Sequence, residues 1–235
     1  MHEFGMNTHP AVLYEDNHLL VVNKQAGEIV QGDRTGDEPM TGMLKSYLKN
    51  RYNKPGEVFL GLVHRLDRPV SGAVIFAKTS KALTRMTAMV KDRSIAKTYW
   101  AVVDACPVPE SALLVHFLKK NESLNKSFVV KEGTAGAKRA ELAYRLLASG
   151  KTLFLLEIDL HTGRHHQIRA QLAALGCHIN GDLKYGARRS NPDGSISLHA
   201  RYLEFIHPVS RELIRITAPL PERPEWHIFD TEKQP

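Results

Sequence analysis

The apolar residues of this chain come in short runs that polar and turn-forming residues interrupt. Two of the longest are Leu19-Leu20-Val21-Val22 and the five residues 73–77. Both are far shorter than the roughly 20 apolar residues that a membrane-spanning helix needs. Short apolar runs with β-branched members, bounded by turn signals, favour buried strands. The sequence therefore predicts a sheet-forming chain without a membrane span.

Strand signals recur along the chain. The segments 11–14 and 18–23 flank the turn Glu15-Asp16-Asn17 and predict a hairpin. Further strands are predicted over 60–63, 72–77, 99–103, 128–131, 139–147, 153–160 and 213–216. The leucines of 139–147 also permit a helix, but its strand-like neighbours favour a strand. The polar, glycine-dotted stretch 24–40 predicts a loop.

Helical periodicity appears in three places. The segment 40–52 predicts an amphipathic helix through Met43, Leu44, Tyr47 and Leu48. The segment 80–92 predicts a second one, because its apolar residues repeat and Thr79 or Ser80 suits its N-cap. Ile168, Leu172 and Leu175 continue a third helix until Gly176. The sequence therefore predicts both helices and strands.

Composition supports one globular unit. The chain has 235 residues, of which 43% are hydrophobic and 24% charged, and it shows no internal repeat. We expect a single domain over 11–229, with short tails at 1–10 and 230–235. Two cysteines are too few for a disulfide framework or a cysteine-based zinc site, which suits a reducing compartment. Because residues 1–5 also lack a signal-peptide pattern, we expect a cytoplasmic protein.

The charge balance indicates an anionic partner. Lys and Arg number 32 and Asp and Glu 25, so the formal net charge is +7 with neutral histidines. Exposed basic side chains attract nucleic acids and anionic membrane surfaces through the same field. The motifs must distinguish the two.

One predicted turn concentrates reactive groups. It reads His64-Arg65-Leu66-Asp67-Arg68-Pro69 and lies between two apolar strands. Such a sequence is compatible with an ordinary solvated turn. However, Arg65 and Arg68 would keep the Asp67 carboxylate ionised, as a nucleophile or base requires.

A second cluster covers residues 161–169. His161 and His165 have the spacing of zinc ligands on a helix, but Thr162-Gly163 disfavours a helix there, so we expect no metal site. As a strand end followed by a helix start, the cluster would present Arg164 to phosphate or carboxylate groups, although simple solvation is equally compatible. The turn 181–186 allows the same two interpretations for Lys184 and Tyr185.

Together these stretches closely resemble the RluA-type pseudouridine synthases. The family's HRLD signature is matched by residues 64–67, its Lys-x-Tyr strand start by 97–99, its TGRxHQIR element by 162–169, and its GDxxYG turn by 181–186. Four motifs in the same order make coincidence very improbable. The resemblance implies an α+β pseudouridine synthase fold, with a long, mixed, mainly antiparallel central sheet, flanking helices and a central catalytic cleft.

The resemblance also implies roles for individual residues. Asp67 would be the catalytic aspartate, Tyr99 would pack against the target base, and Arg164 would pair with the Asp67 carboxylate. Arg65 would enter the RNA helix where the target uridine has left. The expected RNA contacts are His64, Arg65, Arg68, His165, Arg169, Lys184 and Tyr185. No cofactor and no metal are implied, and we expect a monomer without an obligate protein partner acting on structured ribosomal or transfer RNA.

The reaction breaks the N1–C1′ bond of uridine, rotates the base and joins C5 to C1′, so the base must first leave its stack. Asp67 would add to the base, attack C1′ or remove the C2′ proton, and the residues do not select among these routes. Only about 10 residues precede the first predicted strand, too few for an appended RNA-binding domain. We therefore expect the catalytic domain to recognise the RNA.

Two alternatives stay open. A carboxylate-dependent nucleoside or glycoside hydrolase needs a second carboxylate near Asp67, and none is close to it in the sequence. A catalytically idle RNA-binding or assembly factor on the same fold predicts a damaged site, whereas Asp67, Tyr99 and Arg164 are all present.

Overall fold

The computed structural model describes residues 10–32 and 36–229. In these residues the strands are β1 (Val12–Glu15), β2 (Leu19–Lys24), β3 (Gly61–Leu62), β4 (Ser71–Ala77), β5 (Ala96–Val103), β6 (Ser111–Asn121), β7 (Lys126–Val130), β8 (Lys138–Ser149), β9 (Phe154–Leu160), β10 (Leu198–Ile206) and β11 (Leu213–Thr217). The helices are α1 (Met40–Arg51), α2 (Ser80–Lys91), α3 (Gln167–Ala174) and α4 (Pro224–His227), with a short 3-10 helix at Leu183–Tyr185.

The described strands form one sheet in the order β1-β2-β4-β10-β5-β9-β8-β6-β7, with β3 beside β4 and β11 beside β10. Every recorded pair of these strands is antiparallel except β4 and β10. Those two run parallel and join at His199 with Ser71 and Ala200 with Gly72. The predicted long, mainly antiparallel mixed sheet is therefore confirmed.

Alternation along the central strands places helices on both faces of the sheet. On β4, Val74 and Phe76 pack in one core cluster with α1 and α3, whereas Ala73, Ile75 and Ala77 pack in another with α2. Because both faces are covered, β4 is buried along its whole length. Tyr99 of β5 belongs to the cluster that contains α1 and α3, so the site lies on that face.

The predicted elements agree with the structure to within a few residues. The first hairpin forms, α1 ends at Arg51, and Thr79 caps α2 by accepting a hydrogen bond from the Ala82 amide at 3.1 Å. The ambiguous segment 139–147 is a strand, in β8. Of the predicted apolar positions in α1, Leu44 and Leu48 are buried, whereas Met43 is 39% exposed.

Three elements were not predicted: β6, β10 and α4. In β6 the buried Leu114 alternates with the exposed Leu113 and Val115, so apolar residues on both faces hide the period of two. In β10, His199, Arg201 and Glu204 interrupt the apolar pattern.

The predicted loop over 24–40 contains no helix or strand at 25–32 or 36–39, and residues 33–35 lie outside the described part. The predicted tails fall outside the described residues as well, apart from position 10, and the single domain over 11–229 stays a prediction. No helix among the described residues is both long and apolar enough to cross a membrane.

Candidate active site

Asp67 lies in the turn that connects β3 to β4. The Val70 amide donates to the Asp67 carbonyl at 3.0 Å and closes this turn. The buried ammonium of Lys24 donates to the carbonyl oxygens of Gln25, Arg68 and Val70 at 2.9, 3.0 and 2.7 Å. Burial lowers the pKa of Lys24 to about 8, against the opposing effect of nearby carboxylates. Lys24 thus fixes the backbone on both sides of Pro69 and positions the Asp67 turn.

Lys24 was not predicted as a site residue. Its signal is a lysine at the end of β2, two residues after the apolar run, at a point where the chain turns into a polar loop. A buried cation needs several acceptors, and the carbonyls of a tight turn supply them.

His64 begins the same turn and serves its structure. Its Nε2 accepts a hydrogen bond from the Ile75 amide of β4 at 3.2 Å. Burial, together with the charge of Lys97, lowers the His64 pKa to about 3, so the imidazole is neutral. The predicted RNA contact is therefore already engaged by the protein backbone through this nitrogen.

The Asp67 carboxylate has an arginine partner other than the expected one. Arg169 of α3 places Nη1 3.2 Å from Asp67 Oδ2. The same guanidinium binds Asp182 with two hydrogen bonds, from Nε at 2.7 Å and from Nη2 at 2.8 Å. The side chains of Arg169 and Asp182 are only 6% and 1% exposed. A buried, doubly anchored cation therefore stabilises negative charge on Asp67.

The predicted pairing of Arg164 with Asp67 is corrected by this geometry. Arg164 Nε donates instead to the Arg139 carbonyl at 3.0 Å, and the Arg164 side chain is largely exposed. Because α3 begins at Gln167, Arg169 lies inside its first turn and points into the protein, whereas Arg164 precedes the helix. Arg164 still lines the same cavity as Asp67.

Tyr99 stands on β5 opposite Ala200 of β10 and Ile158 of β9. It is buried, and burial together with the Asp67 charge raises the pKa of its phenol far above the ordinary value. The hydroxyl therefore stays protonated at neutral pH and its ring forms part of the cavity wall.

Asp67, Tyr99 and Arg164 line one cavity of about 330 Å³. Its remaining wall combines apolar residues, among them Val63, Leu160 and Leu198, with polar ones, among them His64, Lys97 and Gln167. This volume is at the lower end of the range for small-molecule sites. It suits a single planar ring with its sugar.

A second cavity, of about 610 Å³, also borders Asp67. Its lining includes Arg65, Arg68, Lys120, His165, Arg169 and Lys184, and its acidic residues are Asp67 and Asp193. The structure thus brings the predicted RNA contacts Arg65, Arg68, His165, Arg169 and Lys184 to one groove. Asp67 lies where this basic groove meets the smaller cavity.

Tyr185, another predicted RNA contact, is buried behind the groove. Its hydroxyl accepts a hydrogen bond from the Ser127 amide at 2.8 Å and lies 3.1 Å from His166 Nδ1. Burial raises its pKa to about 12. Tyr185 therefore supports the site from within.

His166 was not predicted as a site residue. Its backbone is left-handed, with φ 51°, and its Nε2 lies 3.4 Å from Asp67 Oδ2. Burial and the adjacent Arg169 charge lower its pKa to about 2, so it is a neutral neighbour of the carboxylate. The left-handed backbone of His166, directly before α3, turns its side chain toward Asp67.

Comparisons with known proteins show which family the chain resembles. Residues 18–174 match the family model described as RNA pseudouridylate synthase. Ribosomal large subunit pseudouridine synthase D of Zymomonas mobilis is 32% identical over 221 residues, which are 90% of this chain and 69% of that protein. Ribosomal large subunit pseudouridine synthase C of Vibrio cholerae is 34% identical over 220 residues, covering 89% and 65%.

A solved structure has the same fold. Human RNA pseudouridylate synthase domain containing 4 superposes with a TM-score of 0.77 at 24% identity, over 90% of this chain and 89% of the human chain. The chain spans about two thirds of the length of the two bacterial relatives.

Proposed function

Because the chain belongs to the RNA pseudouridylate synthase family, we propose that it isomerises uridine to pseudouridine in ribosomal or transfer RNA, with Asp67 as the catalytic residue. The observation that carries the assignment of Asp67 is its place between a base-sized cavity and a basic groove, beside the buried guanidinium of Arg169. Atoms balance without a co-reactant. The N1–C1′ bond breaks, C5 bonds to C1′, C5 loses its proton and N1 gains one.

The two cavities would bind different parts of the RNA. A phosphodiester strand suits the basic groove, because its cations neutralise phosphates and make binding depend on salt. A base that remains stacked in a helix cannot reach the smaller cavity, so the target uridine must flip out at a cost of a few kcal/mol. Its sugar would then lie beside Asp67 and its base beside Tyr99.

Arg65 is placed to compensate for flipping. It is exposed, lines both cavities, and makes no ion pair within the described residues. Its planar guanidinium stacks well on bases and can fill the gap that the uridine leaves.

Asp67 would act as an unprotonated carboxylate in each of the three routes, namely addition to the base, attack on C1′ and removal of the C2′ proton. Arg169 stabilises that form in all of them. Tyr99 would pack its ring against the detached uracil, and its protonated hydroxyl is able to donate a hydrogen bond to it but not to accept a proton as a phenolate.

Among the described residues that line the smaller cavity, Asp67 is the sole carboxylate, whereas a hydrolase needs a second one near it. Asp182 is the acidic residue that Arg169 connects to Asp67, but it is 1% exposed and both its oxygens are bound by Arg169. It therefore cannot protonate a leaving group. The idle-factor alternative is disfavoured because Asp67, Tyr99 and Arg169 form a complete site.

We also propose that one chain suffices for the reaction, since the residues of both cavities come from a single chain, and that it acts as a monomer in the cytoplasm on structured RNA without an obligate protein partner. His64 and Tyr185 would support the RNA site, and Arg68, His165 and Lys184 would contact the strand.

The test uses RNA carrying tritium at uracil C5. Isomerisation releases the tritium and leaves the chain intact, hydrolysis frees uracil, and an idle binding factor does neither. Pseudouridine mapping in RNA from cells with and without this protein then locates the target. Tritium release without free uracil supports the proposal, and free uracil or no reaction on RNA from cells that lack the protein overturns it.

A further inference from the structure

His165 and His166 form a stacked pair at the entrance of the site. Their ring centroids are 3.7 Å apart and the planes differ by 19°. His166 is held by Tyr185, whose ring meets it edge-on at 5.6 Å and whose hydroxyl lies 3.1 Å from His166 Nδ1. His165 therefore stacks on a ring that is held in place, and this ring covers one face of His165.

Both polar edges of His165 are occupied as well. Its Nδ1 lies 3.0 Å from Ser127 Oγ, and its Nε2 lies 3.1 Å from Asn125 Oδ1. These bonds fix the plane of the ring and leave neither nitrogen free for a phosphate or a metal. The ring is only half-buried, so the surface it still offers is the flat face turned away from His166.

The position of this open face fits a particular ligand. His165 lines both the base-sized cavity and the basic groove, so it stands at the boundary that an RNA strand would cross. Burial and the nearby charges of Lys120, Arg65 and Arg169 lower its pKa, so the ring is neutral while cations surround it. A neutral ring among cations suits a stacked nucleobase whose phosphates reach the cations.

We propose that the open face of His165 is a stacking subsite for the nucleobase next to the target uridine in the same strand. This inference rests on the proposed function. When the uridine enters the smaller cavity, its neighbour loses a stacking partner, and the His165 ring replaces it. The subsite tolerates any base and favours purines, because a larger ring covers more of the imidazole.

The test is a cycle of two proteins and two kinds of RNA. The RNA is the stem-loop that contains the mapped uridine, and its counterparts carry an abasic nucleotide on the 5′ or the 3′ side of that uridine. We expect His165→Ala to weaken binding of the intact stem-loop about ten-fold, the usual size for one base stacked on an aromatic ring. On the stem-loop that is abasic at the stacked side, the same variant should lose about two-fold or less.

Two further variants separate stacking from structure. His165→Phe keeps a flat ring and should bind within about three-fold of the wild type. Asn125→Gly removes one edge contact but suits the left-handed backbone at that position, φ 43°; because Ser127 still holds the other edge, binding should fall less than in His165→Ala. An equal loss of affinity on intact and both abasic RNAs, or a loss in His165→Phe as large as in His165→Ala, overturns the subsite.

Pseudouridine formation by the wild type is measured on the same stem-loop. If the wild type forms pseudouridine but His165→Ala loses the same affinity on intact and abasic RNA, the stacking subsite is wrong and the proposed function stands. If the wild type binds but forms none, the proposed function fails, and the binding cycle still decides the subsite.

Discussion

Asp67 and Arg169 are 102 residues apart in the sequence, and their side chains meet at 3.2 Å. Arg169 is held from the other side by the buried Asp182, so its guanidinium cannot follow a movement of Asp67. The carboxylate thus faces a preorganised positive charge, which costs no reorganisation when negative charge must be held in the site.

Replacing Asp67 with asparagine should separate chemistry from binding. The amide has nearly the same size but no negative charge, so we expect tritium release to fall to background while the RNA dissociation constant changes less than about three-fold. A thermal unfolding curve close to that of the wild type serves as the folding control. Product formation above background in Asp67→Asn would remove Asp67 from its proposed role.

The two arginines of the second motif should behave differently. Arg169→Ala leaves Asp182 buried without its cation, so we expect the free energy of unfolding to fall by about 3–5 kcal/mol and turnover to be lost. Arg164→Ala removes an exposed side chain and should change stability by less than about 0.5 kcal/mol. Urea denaturation of both variants, with tritium release, checks this. Equal destabilisation by the two substitutions would contradict the assigned partnership.

Lys24→Met should loosen the Asp67 turn. The substitution keeps the stem but leaves three carbonyls without their donor, so we expect about 2–4 kcal/mol of destabilisation and a lower turnover. The exposed Lys81→Met is the matched control and should change neither quantity appreciably. The prediction fails if urea denaturation cannot distinguish the two variants.

His199 should make the protein sensitive to mild acid. Burial lowers its pKa to about 4, while its Nδ1 lies 2.8 Å from Ser71 Oγ and its Nε2 lies 3.3 Å from the Ala218 carbonyl. The unfolded chain therefore binds more protons than the native one between the ordinary value of 6.5 and about 4. The free energy of unfolding should fall as pH falls through this window, by up to about 1.4 kcal/mol per pH unit for this group.

His199→Gln keeps a polar side chain and removes that titration. Urea denaturation of both proteins across the window should give a shallower pH dependence for the variant. Some dependence should remain, because burial also lowers the pKa of His64 and His166. Parallel pH profiles for wild type and variant would exclude His199 as a source.

Gly72→Ala tests the junction between β4 and β10. Gly72 has φ +117°, and a Cβ there would lie 2.4 Å from the Ala200 carbonyl oxygen and 2.5 Å from its amide nitrogen. Neither backbone atom can move away without breaking the parallel pair, so we expect destabilisation of about 3 kcal/mol or more.

Gly133→Ala is the control for backbone strain alone. Gly133 also has a positive φ, +81°, but nothing lies within 4 Å of its added Cβ. It should lose about 1 kcal/mol. Similar thermal unfolding of the two variants would show that the close approach to Ala200 is unimportant.

The sequence predicted the helices, strands and turns correctly where the local apolar pattern matches the face that is buried. The hairpin of β1 and β2, the capped helix α2 and the turn around Asp67 all follow from patterns within about ten residues. Four motifs in order were enough to recognise the family and hence the mixed sheet. Local patterns carry this information because each predicted segment buries the same face that its periodicity marks.

The pairing of Arg169 with Asp67 and the role of Lys24 could not be predicted from local patterns. Arg164 and Arg169 lie in one motif and carry the same charge, and only the start of α3 at Gln167 decides which one points inward. The role of Lys24 depends on carbonyls 44 and 46 residues away. Side-chain direction at a helix start and contacts between distant turns arise from packing, which spacing does not encode.

The parallel pairing of β4 with β10 affects the stage of folding at which the site forms. β4, which follows the Asp67 turn, joins the sheet of Tyr99 through β10, where Ser71 pairs with His199. Such distant contacts form slowly, because the chain between the two residues must first close into a loop. During synthesis, the segment that carries Asp67 leaves the ribosome long before α3 and β10 do. We therefore expect activity only after the last third of the chain has folded onto the first third.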